Sequence, residues 1–118
     1  MAAKSLHHVA LTVNDWNKSR AFYERVAREL GAEPFIDTKG APHRAQDGRV
    51  LIFAGNGFMF SIWESLETHR ENRFEDYNVG LHHLAFEASD RAAVDALYEA
   101  LKELGAEIVD PPQKYAYV

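Results

Sequence analysis

Two adjacent-histidine pairs carry the side chains of this sequence that are best suited to chemistry. His7-His8 lies in the octet LHHVALTV, and His82-His83 lies in the similar octet LHHLAFEA. A neutral imidazole binds divalent metals and also acts as a general acid or base near neutral pH. Because the sequence contains no cysteine, any metal must rely on histidine and carboxylate ligands. The pairs therefore mark a candidate site for a metal ion or a polar ligand.

The two octets begin two copies of a longer repeat. AFYERVARELGAE (21–33) follows the first octet, and ALYEALKELGAE (96–107) follows the second. Each octet alternates between apolar and polar residues as a strand does, and Asp15 or Asp90 can cap the helix that comes next. The glycine of each LGAE then predicts the end of the helix. The chain therefore carries two copies of one supersecondary unit.

Three further strands follow the first helix, with the sequences EPFIDT, RVLIFA and GFMFSIWE. Asn56-Gly57 joins the last two and suits a type I′ hairpin turn, so the first copy is a βαβββ unit. The whole chain, residues 1–118, is interpreted as one α+β domain of paired βαβββ modules. Its parts are module one at 6–64, a charged connection at 65–79 and an incomplete module two at 80–118. The second module stops before strands that would match RVLIFA and GFMFSIWE.

Composition limits the classes of partner. The formal charge of −5 and the pI near 5.6, without a run of Lys or Arg, argue against nucleic acid and against an anionic membrane surface. The longest apolar run, VLIFA, is too short to span a bilayer. A small-molecule ligand and a cytoplasmic location are therefore expected.

Alternation within the octets predicts which side chains face the helices. The set expected to be nearly fully buried is Val9, Leu11, Val13, Leu84 and Phe86. The helical residues expected to cover it are Phe22, Val26, Val94, Leu97 and Leu101. His8 and His83 then occupy equivalent positions on the open, concave face of the sheet, and Glu87 shares that face. Glu87 is a candidate general base, although a solvated strand residue fits the same pattern.

The last strand of module one offers candidate ligand contacts on the concave face. These are Met59, Ser61 and Trp63. Trp63 can stack on a planar ligand, but a tryptophan at strand spacing is also a common core residue. Phe58, Phe60 and Ile62 alternate with this set and should pack against the helices.

This repeat and strand order resemble the vicinal oxygen chelate superfamily, which includes glyoxalase I, extradiol dioxygenases, and fosfomycin and bleomycin resistance proteins. The resemblance rests on HHVALTVND…SRAFYERV…LGAE followed by GLHHLAFEASD…VDALYEALKELGAEI. It implies two modules around a shared cavity and a divalent metal, such as Zn, Ni, Mn or Fe, held by one His and one Glu from each module. His8 and His83 match the two metal-binding histidines.

The carboxylate ligands of that family are not matched. Ser61 stands where module one would place its Glu, and Glu64 faces the other side of an ideal strand. Three functions stay open: a metal-dependent lyase, isomerase or dioxygenase, a metal-free binding protein of the bleomycin-resistance type, and a shortened relative without activity. The incomplete second module leaves apolar helix surface uncovered, so we expect a homodimer that shares sheets or exchanges modules.

Overall fold

The computed structural model describes residues 2–39 and 48–114 and shows an α+β fold. Its elements are strand β1 (Val9–Val13), helix α1 (Trp16–Glu29), strands β2 (Glu33–Lys39), β3 (Arg49–Gly55) and β4 (Phe58–Glu64), a 3₁₀ helix (Glu67–His69) and helix α2 (Arg91–Glu103). The first repeat therefore forms the βαβββ unit that the pattern predicts. Strands β2, β3 and β4 begin and end within one residue of the predicted positions.

The four strands form one sheet in the order β1-β4-β3-β2. β1 runs parallel to β4, while β4 with β3 and β3 with β2 are antiparallel. Asn56-Gly57 forms the predicted two-residue hairpin between β3 and β4, but the type I′ assignment was wrong. A type I′ turn needs positive φ at both residues, whereas only Gly57 has one, at +86°.

One face of the sheet packs against α1 and forms the core. Leu51 and Phe53 of β3 and Phe60 and Ile62 of β4 are almost fully buried there. The core is completed by Trp16, Ala27 and Ala32. The residues that alternate with these in β4 face the opposite side, where Ser61 lies across from Ile52. The predicted packed set of β4 is therefore confirmed, since Phe60 and Ile62 belong to the core and Phe58 packs against it.

Both helices begin at the predicted aspartates. The Asp15 carboxylate accepts a hydrogen bond from the backbone N–H of Lys18, and that of Asp90 accepts one from Ala93. Each satisfies a donor that the first helical turn leaves unpaired. Arg25 of α1 donates to Glu103 of α2 at 2.9 Å, which joins the two repeats at their helices.

The second repeat differs from its prediction at its octet. Residues 81–88 alternate as a strand does but do not form one, and residues 106–110 after α2 are irregular as well. In the first repeat β1 is stabilised by backbone hydrogen bonds to β4. Among the described residues, no strand follows α2 that could pair with residues 81–88 in the same way. Without a ladder partner the segment stays irregular, although Phe86 still packs against Phe60 with ring centroids 5.1 Å apart.

Burial of the predicted packed set is less complete than expected. Val9, Leu11, Val13, Leu84 and Phe86 are all half-buried. β1 is an edge strand of the sheet, and residues 81–88 cover it without pairing, so the seam between the repeats remains partly open. Val94 was expected to cover this set, but it is exposed. Among the described residues, neither helix is long and apolar enough to cross a membrane.

Candidate functional site

The two histidine pairs have nearly the same local geometry. Nδ1 of His7 lies 2.8 Å from Nδ1 of His8, and Nδ1 of His82 lies 2.7 Å from Nδ1 of His83. Ring centroids are 5.0 Å apart in both pairs, and all four residues are exposed. In each pair one Nδ1 must donate and the other accept, which orients the rings and leaves each Nε2 outside the pair. The two copies of the repeat therefore share the arrangement of their histidine side chains as well as their sequence.

His8 lines a cavity of about 320 Å³ that also contains Met59 and Glu87. We call this the His8 cavity, and its principal lining residues are His7, His8, Phe58, Met59, Phe86 and Glu87. The volume is within the usual range for small-molecule sites. Its wall combines two aromatic rings and a thioether with imidazole and carboxylate groups, which is the mixture that binds a small, partly polar molecule.

Strand pairing explains how these residues meet. The parallel register places Val9 beside Phe60, so His8, which directly precedes β1, lies next to the start of β4 and Met59. Phe86 packs on Phe58 and Phe60 with ring centroids 5.9 and 5.1 Å apart. That contact holds the following residue, Glu87, at the same end of the sheet.

Ser61 and Trp63 lie on the predicted face but do not line the His8 cavity. Ser61 is only 5% exposed, and its hydroxyl accepts a hydrogen bond from Nε1 of Trp63 at 2.9 Å. The indole and the serine therefore satisfy each other. Their role as ligand contacts remains a prediction.

Glu64 does not replace the missing carboxylate. The register pairs it with Val13, at the far end of β1 from His8. Five strand residues separate those ends, or about 16 Å. The Glu64 carboxylate accepts the backbone N–H of Arg49 at 3.2 Å and lies 3.6 Å from the Arg70 guanidinium.

The structure places His83 in a different cavity from His8. His83 lines an apolar space of about 520 Å³ between α1, α2 and residues 81–86. A catalytic divalent metal normally takes three protein ligands, and the described part of the chain has no cluster of three or more His, Asp or Glu residues that could hold one. The His, Asp and Glu side chains of the described residues therefore do not form, by themselves, the metal site that the resemblance implies.

Sequence reasoning missed the aromatic wall of the His8 cavity. Phe58 and Phe86 were assigned only to the packed face, and of the first histidine pair only His8 was placed on the concave face. The relevant signal is the Asn56-Gly57 turn, which ends the sheet at Phe58 and exposes the edge of the core to the cavity.

Comparisons with known proteins agree on one family. The sequence model of the Glyoxalase/Bleomycin resistance protein/Dioxygenase superfamily matches residues 5–117. The uncharacterised protein YqjT of Bacillus subtilis is 28% identical over 104 residues, which cover 88% of this chain and 74% of YqjT.

Solved structures give the same result. A glyoxalase candidate from Bacillus halodurans superposes with a TM-score of 0.67 at 28% identity, covering 86% of this chain and 70% of that one. The fosfomycin resistance protein FosX from Listeria monocytogenes, solved with Mn(II) and sulfate, superposes with a TM-score of 0.60 at 27% identity, covering 90% and 75%. The family match spans nearly the whole sequence, and the chain therefore belongs to the Glyoxalase/Bleomycin resistance protein/Dioxygenase superfamily.

Proposed function

We propose that this protein binds a small, planar molecule in the His8 cavity. The observation that supports this most directly is that His8, Met59 and Glu87, three residues chosen from sequence for different reasons, line one cavity of about 320 Å³. Phe58 and Phe86 form an apolar wall on which a flat ligand can pack. Glu87 lines the same cavity as His8, which supports it as an acceptor for a ligand hydroxyl; its role as general base remains a prediction.

The polar groups of the cavity suit a ligand with two neighbouring oxygens. A ligand hydroxyl can donate to the Glu87 carboxylate, while a carbonyl beside it accepts from a ring N–H of the histidine pair. α-Hydroxyacetophenone has this arrangement next to an aromatic ring, and acetophenone is its matched analogue without the hydroxyl.

We expect α-hydroxyacetophenone to bind about tenfold or more tightly than acetophenone, because a hydrogen bond to a charged group contributes about 1.5–3 kcal/mol. Glu87→Gln should remove most of that preference, and isothermal titration calorimetry measures it. Glu71→Gln is the matched control, since Glu71 is exposed and lies outside the His8 cavity. Equal affinities for the two compounds in the unmodified protein would contradict the assignment of Glu87.

A divalent-metal enzyme is the second candidate, favoured by the Mn(II) in the FosX structure. His8 and His83 are the proposed ligands, and further donors would have to come from another chain or from outside the described residues. Electron paramagnetic resonance of added Mn²⁺ separates the two candidates. The primary proposal predicts no stoichiometric binding, because the described histidines lie in separate cavities. One Mn²⁺ per chain, lost in both His8→Ala and His83→Ala, would establish the metal enzyme instead.

We also propose that the protein is a homodimer. Exposed large apolar side chains in the described part of the second repeat include Leu81, Val94, Leu104 and Val109. A further cavity of about 690 Å³, with a largely apolar wall, lies between α2 and residues 107–113. Val94 and Val109 line this cavity. Exposed apolar surface is typical of a protein interface, and the same surface on a second chain can cover it symmetrically.

A further inference from the structure

A cavity of about 810 Å³ lies at the start of α1, remote from the His8 cavity along β1. We call it the basic cavity, and its charged lining residues are Asp15, Lys18, Arg49, Glu64, Arg70 and Arg73. Four of these are cationic and two are anionic, although the chain as a whole carries a formal charge of −5. The local excess of positive charge favours an anionic ligand.

Two of the cations already have partners. Nη1 of Arg73 donates to the carbonyl oxygens of Arg70 and Asn72 at 2.8 and 3.0 Å, which holds the loop in place. The Arg70 guanidinium lies 3.6 Å from Glu64. The side chains of Lys18 and Arg49 make no hydrogen bond or ion pair within residues 2–39 and 48–114. These two cations are therefore the ones available to a ligand.

The wall of the basic cavity also contains an unused donor. Trp16 is 5% exposed, and its indole Nε1 has no hydrogen-bond partner among the described residues. A buried donor without a partner costs stability and calls for an explanation. An acceptor oxygen that enters the basic cavity would supply the hydrogen-bond acceptor that the indole N–H of Trp16 lacks.

The apolar cavity of about 520 Å³ adjoins this site. Phe22 and Tyr23 of α1 line both cavities. The loop after β4 contributes Arg73 to the basic cavity and its neighbour Phe74 to the apolar one. Burial raises the pKa of the Tyr23 phenol, so this shared wall is uncharged at neutral pH. A cationic space and an apolar space therefore share one boundary.

We propose that this pair of cavities binds an anionic amphiphile, with its carboxylate at Lys18 and Arg49 and its hydrocarbon chain between α1 and α2. The carboxylate would exchange water for charge-assisted hydrogen bonds. The chain would occupy apolar space lined by Val26, Leu97 and Leu101, where removal of its methylenes from water is favourable. The apolar cavity shares Leu84 and Phe86 with the His8 cavity, but His8, Met59 and Glu87 line neither the basic nor the apolar cavity. The proposal therefore does not depend on the function proposed above.

Isothermal titration calorimetry with sodium dodecanoate, below its critical micelle concentration, tests the proposal. Binding should saturate at one molecule per chain, and octanoate should bind more weakly by roughly fourfold for each methylene that is lost from the apolar cavity. Acetate tests the head group alone, and we expect it to bind at least a hundredfold more weakly than dodecanoate. No saturable binding of dodecanoate, or equal affinities for acetate and dodecanoate, would overturn the proposal.

Variants locate the head group. Arg49→Gln and Lys18→Gln should each weaken dodecanoate about tenfold while leaving dodecanol unchanged, because dodecanol has the same chain without the charge. Arg28→Gln is the matched control, since Arg28 is an exposed arginine of α1 outside both cavities. His8→Ala should leave dodecanoate binding unchanged. An equal loss in Arg28→Gln, or a loss in His8→Ala, would place the ligand elsewhere and contradict the assignment. All four changes replace exposed side chains, and circular dichroism checks that each variant is folded.

Discussion

Replacement of Phe60 by alanine should destabilise the protein by about 3–5 kcal/mol, because it removes an aromatic ring from the centre of the core. Phe60 is 1% exposed and packs against the rings of Phe53, Phe58 and Phe86, with centroid distances of 5.0, 6.5 and 5.1 Å. A domain of this size has a free energy of unfolding of about 5–15 kcal/mol. The variant should therefore lose a large fraction of its stability.

Urea denaturation followed by circular dichroism measures this change. Phe35→Ala is the matched control, because Phe35 is also a strand residue but is 61% exposed. We expect it to change the free energy of unfolding by less than about 1 kcal/mol. Similar losses in the two variants would show that the side of the sheet assigned to the core is wrong.

The second large effect concerns association. Val94 lies on α2, is 42% exposed and lines the cavity of about 690 Å³ in the second repeat. If this surface forms the dimer interface, Val94→Glu introduces an unpaired charge into it and should raise the dimer dissociation constant by about a hundredfold or more. Light scattering over a dilution series measures the change.

Val79→Glu is the control for that experiment, because Val79 is fully exposed in the loop before the second repeat. It should leave the dissociation constant unchanged. A chain that is a well-folded monomer at low micromolar concentration before any substitution would refute the homodimer.

The first repeat was predictable because its determinants are local. Alternation separated Phe60 from Ser61, and Asp15 and Asp90 were recognisable as caps from their places before apolar helical patterns. These features depend on neighbours a few residues away. The conformation of the Asn56-Gly57 turn was less predictable, since more than one turn type joins two antiparallel strands and Asn56 keeps a negative φ.

The second repeat was predicted less well because its structure depends on partners distant in the chain. LHHLAFEA has the pattern of a strand, but a strand needs a ladder, and residues 81–88 have none among the described residues. The same absence leaves Leu84 and Phe86 half-buried instead of fully buried. Alternation in the sequence indicates which face of a strand a side chain occupies. The exposed fraction of that side chain depends on which other residues cover the face.

The candidate site was predicted in part. Alternation indicated a shared face for His8, Met59 and Glu87, and these three residues line one cavity. His83 was expected at an equivalent position, but it lines the cavity between the helices instead. The basic cavity was not predicted, because Lys18, Arg49, Arg70 and Arg73 come from separate elements and have no shared motif.

The most direct test of small-molecule binding in the His8 cavity is a two-dimensional ¹H–¹⁵N NMR titration with α-hydroxyacetophenone. Saturable chemical-shift changes should be largest at His8, Met59 and Glu87. Changes centred instead on Ser61 and Trp63, or on the apolar cavity around His83, would contradict it, as would no saturable change anywhere in the chain.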